Sequence, residues 1–268
     1  MTTRILYLNK DAPSPAGLPT SAEFRLVSPG GIRLNADNVI IDTGKIDRFV
    51  NLVDGVTYGT NNNNNNQEVA TVVNVNGVNV AQFDPTLATV PTGYTMQNFG
   101  FAGLNTHQYA FAALWKVTDA FAGGKPREII STASSSASSQ RATLREDASG
   151  VLQARAQRTT ADANTIVSIN APVRMGGWAS AAAVFDFANN LVTIHDLLGT
   201  ESVSGAIAGT PGAAPTDVAA YRLGYLNLLA ESFVGQMADY VHLPYAPTGP
   251  RLLALRMHMQ ARAADLAS

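Results

Sequence analysis

Apolar positions in this chain recur mainly with period two, in short runs separated by Gly, Asn, Ser and Pro, the pattern of half-buried β-strands. From Tyr109 to Val117 the alternation puts Tyr109, Phe111, Ala113, Trp115 and Val117 on one face, so Trp115 is expected in the core. Asn76-Gly77 stands between two β-branched runs in VATVVNVNGVNVAQF and predicts a hairpin with a tight turn. In residues 141–158, Ala142 and Leu144 share a face with Leu152, Ala154 and Ala156 only if the loop around Asp147 to Gly150 has an odd number of residues, three or five. A third hairpin follows Gly176-Gly177-Trp178 and turns around Ala188-Asn189-Asn190, since Asn tolerates positive φ. Further strands are expected over Glu128 to Ser131, over Tyr221 to Tyr225, and from the Phe-x-Gly at Phe233 onward. The Gly/Ala/Pro-rich stretch Gly199 to Pro215 reads as a loop, as does the Ser-rich SSSASS.

One stretch has the period of a helix. Leu252, Leu255, Met259, Ala263 and Leu266 form an apolar stripe, Thr248 stands where an N-cap belongs and Pro250 lies in the first turn. This helix is expected to dock on the strands, because its stripe is narrow and its polar face has too few arginines for a membrane-surface helix.

The N-terminal part patterns more weakly. Residues 1–48 read as an arm or a small β extension, with short strands near Glu23 to Val27 and Val39 to Ile41, and residues 49–268 as the main domain. Phe49 to Asp54 is expected to be a strand, and the run Asn61 to Asn66 a surface loop.

Composition narrows the function classes. Only 14% of residues are charged, the formal net charge is -2 and no Lys/Arg cluster occurs, which argues against a nucleic-acid partner. The absence of cysteine excludes disulfides, thiolate nucleophiles and cysteine-ligated metals. No apolar run is long enough for a membrane span, and the opening MTTRILYLNKDAPSP lacks a signal-peptide core.

The chemistry-bearing positions are few. Opposite the apolar face of the 141–158 hairpin lie Arg141, Thr143, Arg145, Gln153, Arg155 and Gln157, a polar and basic stripe suited to a glycan or a protein partner. Asn62, Asn63 and Asn64 of the Asn run would add a hydrogen-bonding rim. We take Arg141, Arg145, Gln153, Arg155, Gln157 and these three Asn residues as the candidate ligand-binding set. Tyr58, Tyr94 and Tyr109 offer aromatic faces for sugar stacking, though one aromatic per loop is ordinary. His107, His195, His242 and His258 have no spacing that pairs two ligands on one face, so no zinc site is expected. Calcium would require acids such as Asp54, Asp84 or Asp239 to converge. No Gly-x-Ser-x-Gly elbow and no phosphate loop occurs, and no catalytic residue is expected.

Hairpins at fairly regular spacing predict an all-β, two-sheet antiparallel sandwich with a C-terminal helix. The ordered segments Val50 to Asp54, Asn76-Gly77-Val78 to Phe83, Gly177-Trp178 to Asp186, Asn189 to Ile194 and Phe233 to Asp239 resemble the concanavalin A-like lectin/glucanase superfamily. Within it they resemble the laminin G-like domains, over roughly residues 49 to 266. The resemblance implies a jelly roll, and in such domains calcium is sometimes bound. Pro247 following Pro244 departs from the family's usual turn, and the glucanase Glu-x-Asp-x-x-Glu strand is missing, as are the Arg, Gln-x-His and Tyr motifs of the lyases. Glu146 and Asp147 are adjacent and point to opposite faces. The expected role is therefore non-catalytic: a structural or interaction module for assembly, decoration or adhesion, oligomeric or particle-bound, on a virion such as a phage or on an extracellular surface. A carbohydrate-binding module that recognises a surface glycan is the alternative, and a polysaccharide-cleaving enzyme the third reading.

Overall fold

The computed structural model describes residues 31–53, 55–59, 70–84, 86, 94–97, 107–118, 126–134, 142–159, 161–213, 215, 218–224 and 233–268. Arg141, the Asn run with Asn62, Asn63 and Asn64, Asp54, the expected strand near Glu23 to Val27 and most of the Ser-rich segment lie outside the described residues.

The strands are β1 (Ile32–Leu34), β2 (Val39–Asp42), β3 (Lys45–Val50), β4 (Thr57–Gly59), β5 (Ala70–Val75), β6 (Val78–Phe83), β7 (Tyr94–Gln97), β8 (Gln108–Val117), β9 (Arg127–Ser134), β10 (Ala142–Glu146), β11 (Leu152–Ala156), β12 (Thr165–Ile169), β13 (Ala179–Asp186), β14 (Leu191–Asp196), β15 (Ser202–Ala206), β16 (Val218–Leu223) and β17 (Gly235–Leu243). Helix α1 (Gly249–Ala267) closes the chain. One sheet runs β15-β14-β13-β8-β17-β6-β5, with β1 added against β17. A second runs β12-β11-β10-β9-β16-β7, and β2-β3-β4 form a small third sheet. All strand pairs are antiparallel, as expected for the two-sheet sandwich.

The main core lies between the two large sheets. Tyr109, Phe111, Ala113 and Trp115 of β8 enter it from one side, and Ala142, Leu144, Leu152, Ala154 and Ala156 of β10 and β11 from the other. Ala110, Ala112 and Leu114, on the other face of β8, pack under Ala254, Leu255, Met259, Ala263 and Leu266 of α1. The central strand is thus apolar on both faces, and the helix is a third layer. Thr248 has the extended backbone of an N-cap but makes no side-chain cap bond; instead its carbonyl accepts from Arg251 N at 3.2 Å.

The hairpins follow the turn chemistry. Asn76 and Gly77 take φ of 49 and 83 between the Val75–Val78 pair, and Asn190 takes φ 58. Glu146 pairs with Leu152, so the β10–β11 loop has five residues, an odd number as the apolar alternation demands.

Two features depart from the sequence expectation. The stretch expected as the loop Gly199 to Pro215 contains β15, which pairs with β14 along Leu191 to His195. Its Gly205 lies so close to β12 that a Cβ there would sit 2.7 Å from Val167 Cγ1. Phe49 to Asp54 is not one strand: β3 ends at Val50, and a turn follows in which Asn51 O accepts from Gly55 N. Ile32, Leu34 and Ile46 belong to the main core cluster.

Candidate polar face of the six-stranded sheet

In an antiparallel sheet, directly opposed residues share a face, so the register assigns the outer surface of the six-stranded sheet residue by residue. Ile166, Arg155, Thr143, Ser131, Arg222 and Thr95 oppose one another in one row across all six strands. Ser168, Gln153, Arg145 and Glu128 form a second row beside it. The span from Arg155 to Arg222 is about 14 Å, three interstrand spacings of about 4.8 Å.

Glu128 reaches this face through an irregularity. Between Leu144 and Arg145 the β9 register shifts by one, so Ile129 and Ile130 both enter the core and Glu128 turns outward opposite Arg145. Arg145 Nε donates to Gln153 Oε1 at 2.8 Å and its NH1 lies 3.5 Å from Glu128 Oε1. Arg155 Nε donates to Asn164 Oδ1 at 2.8 Å. The guanidinium planes are therefore held by fixed partners, an arrangement that lowers the ordering cost of binding an anion. Arg145, Arg155 and Arg222 outnumber Glu128, so the described part of the face is cationic.

This face is less solvated than the outer side of an ordinary sheet. Thr143 is 0% exposed, and Ser131 and Glu128 are each 1% exposed. Among the described residues the Thr143 hydroxyl finds no hydrogen-bond partner. A buried hydroxyl without a partner costs of order 1–3 kcal/mol, and in native proteins it asks for an explanation.

Of the expected ligand-binding set, Arg145, Gln153 and Arg155 meet on this face. Gln157 does not: only 7% exposed, it turns into the following loop and donates to Asp162 O at 2.7 Å. Arg222 and Glu128 were not in the set, because only the long-range order β10-β9-β16 brings them onto the same face as Arg145 and Arg155. Tyr58 and Tyr109 are buried in the core and present no stacking face.

Elsewhere, polar groups are consumed by the fold. Glu146 accepts from Trp115 Nε1 and from Arg174 NH2, each at 2.7 Å, while Asp147 caps its own turn through Ser149 N at 2.8 Å. Asp239 is fully buried beneath α1, where it is bonded to Arg33 and to His258 Nε2 at 2.8 Å. Burial would raise its pKa, but the charges of Arg33 and His258 outweigh burial and hold the carboxyl well below the usual carboxylate range. Asp84 is engaged with Thr86 at 2.6 Å. Among the described residues no group of three or more His, Asp or Glu is placed to hold a metal ion. Arg158, 1% exposed, donates to the carbonyls of Phe187, Ile207, Ala208 and Ala213 and to Asn190 Oδ1, tying three loops together. No helix among the described residues is long and apolar enough to cross a membrane.

Two apposed antiparallel sheets of this topology, capped by a helix, define a jelly-roll sandwich of the concanavalin A-like kind. Comparison with solved structures supports that class. Trypanosoma rangeli sialidase in complex with sialic acid aligns with TM-score 0.61 at 9% identity, over 88% of this chain and 34% of that one. The chain thus spans about a third of that enzyme. Ruminococcus gnavus IT-sialidase CBM40 bound to α2,3 sialyllactose aligns with TM-score 0.49 at 15% identity, over 62% of this chain and 91% of that one. A heptameric SAP-like pentraxin from Limulus polyphemus aligns with TM-score 0.41 at 16% identity, over 55% of this chain and 68% of that one. No protein-family model and no curated protein matches the chain.

Proposed function

We propose that the protein is a non-catalytic glycan-binding module whose ligand lies on the outer face of the six-stranded sheet and carries negative charge. The observation behind this reading is that Arg145 and Arg155, each with its Nε held by a fixed partner, stand with Gln153 on neighbouring rows of the outer face. Arginine's planar donor fork suits a carboxylate. Gln153 supplies an amide of the kind that reads sugar hydroxyls. Acidic sugars are the first ligands to test, since T. rangeli sialidase, which shares the fold, has been captured with sialic acid.

The experiment is calorimetry with sialyllactose and with lactose as the neutral control. The acidic sugar should bind, and added salt should weaken its binding because the Coulombic part is screened. Equal affinity for both sugars, or a blank across a glycan array that includes sulfated and uronic acid sugars, would remove this reading. Release of free sugar from a panel of sialosides or polysaccharides would overturn its non-catalytic part.

A second reading, contact with protein neighbours in an assembly such as a virus particle, is favoured by a different observation. Ile40, Ile41, Leu52, Val53 and Val56 are 38% to 54% exposed and fall within one short stretch around β2 and the turn after β3. Light scattering tests it: an oligomer that Ile41→Glu dissociates supports assembly, and a monomer at all concentrations does not.

A further inference from the structure

We propose that Asn76-Gly77 is a covalent self-modification site, at which deamidation releases the last turn of α1 from the β5–β6 hairpin. This stands apart from the glycan reading, because the hairpin belongs to the other sheet.

Both residues are exposed at the hairpin tip. Gly77 takes φ 83, and a Cβ placed on it would meet nothing within 4 Å, so no side chain crowds the turn at this residue. That N–H donates to Asn74 Oδ1 at 3.0 Å, an exposed bond that opens before hydroxide from the alkaline buffer takes the proton and the nitrogen can attack. The electrophile is the Asn76 carboxamide next to it. Gly77 N forms a bond to Asn76 Cγ, the Cγ–Nδ2 bond breaks, and ammonia departs with the transferred proton. Water then opens the resulting succinimide at one of its two carbonyls, leaving aspartate or isoaspartate at position 76. No oxidant, cofactor or second protein is needed.

The consequence follows from what the carboxamide now holds. Asn76 Nδ2 donates to Leu266 O at 2.9 Å, and Leu266 is buried in the last turn of α1. After deamidation there is no hydrogen to donate, and a carboxylate faces a carbonyl oxygen at the negative end of a helix, an unfavourable pairing. The isoaspartate product also inserts a methylene into the backbone of a two-residue turn and disrupts its geometry. Either product loosens the helix end from its hairpin.

The test incubates the full chain in mildly alkaline buffer and maps peptides spanning 70–83 for the mass gain of amide-to-acid conversion, with Asn189 and Asn190 as internal references. Conversion at Asn76 should outpace that at the references, and converted protein should exchange backbone amides of residues 260–268 about fivefold faster, the factor that one ordinary hydrogen bond corresponds to. Asn76→Asp should reproduce the faster exchange without incubation. Asn76→Gln should show no conversion there. Conversion at Asn76 no faster than at Asn189 and Asn190 would overturn the modification site, and unchanged exchange in converted protein or in Asn76→Asp would overturn the release.

Discussion

The two large sheets turn opposite kinds of outer surface to their surroundings. On the eight-stranded sheet the outer face is built of Ala110, Ala112, Leu114, Ala182, Ala238 and Val241, and α1 covers it. The outer face of the six-stranded sheet is built of Arg155, Thr143, Arg145, Gln153, Arg222 and Glu128, with no described element of secondary structure laid across it. Small side chains on the first let a helix approach closely, and Asp239, buried there, is neutralised by Arg33 and His258. On the second, Arg145 and Arg155 are each held by a fixed partner, and among the described residues the arginines outnumber Glu128. One face completes the fold, and the other is the face proposed to bind a ligand.

The largest effect that separates the faces should come from Asp239→Asn. Asp239 is buried between Arg33 of β1 and His258 of α1, so the substitution leaves two donors beneath the helix without their counter-charge. Breaking a buried pair in this way costs about 3–5 kcal/mol. Urea unfolding measures the loss; a cost below about 1 kcal/mol would mean that the cluster is solvated and that the helix-covered face is not sealed.

Next comes Leu255→Ala, which removes a fully buried side chain from the contact between α1 and β8. The expected destabilisation is about 2–4 kcal/mol, from lost transfer energy and the cavity left behind. A midpoint unchanged from wild type would show that the helix adds nothing to the stability of the sandwich.

How far the two faces were legible in the sequence differs for physical reasons. The covered face announced itself once, as the local stripe Leu252, Leu255, Met259, Ala263 and Leu266; the period-two set Tyr109 to Val117 on β8 marked the opposite face, which meets the other large sheet. The β10–β11 hairpin was equally local, which is why Arg145, Gln153 and Arg155 were found as one stripe. What escaped is non-local. The shift in β9 that turns Glu128 outward, the shift between Met237 and Asp239 in β17 and the neighbour relation between β9 and β16 all depend on partners far away in the chain. β15 escaped because Ser202-Val203-Ser204-Gly205-Ala206 is short and polar, and its Gly205 reports a close approach to Val167 rather than a turn.

Acid should act on the interior and on the helix-covered side, not on the polar face. His242 lies among Tyr109 and Phe111 in the core, and burial lowers its pKa from 6.5 to about 3. A folded pKa below the unfolded one means that the unfolded chain binds more protons, so His242 weakens the fold as pH falls from about 6.5 towards 3 and has no such effect above that window. The slope is at most about 1.4 kcal/mol per pH unit for one group. His195, lowered to about 4 by burial and by Arg256, adds a shallower loss in the same direction, and Asp239 adds its own only below about pH 3.9. Denaturation midpoints recorded from pH 7 to pH 4 should therefore fall, and His242→Phe should flatten the curve. An equally steep curve in that variant would assign the acid sensitivity elsewhere.

The smallest effect on stability is the sharpest test of the contrast. Arg155 sits on the outer row with its Nε on Asn164 Oδ1, an exposed hydrogen bond, so Arg155→Ala should move the unfolding free energy by no more than about 0.5 kcal/mol. Binding of an acidic sugar should fall at least about tenfold in the same variant, the scale of a lost charge-assisted contact of about 1.5–3 kcal/mol. Arg155→Lys keeps the charge but loses the planar fork, and should recover only part of the affinity. If Arg155→Ala instead destabilised the fold as much as Leu255→Ala does, the row of arginines would be a packing device like the helix-covered face. The difference between the two surfaces would then be one of composition and not of role.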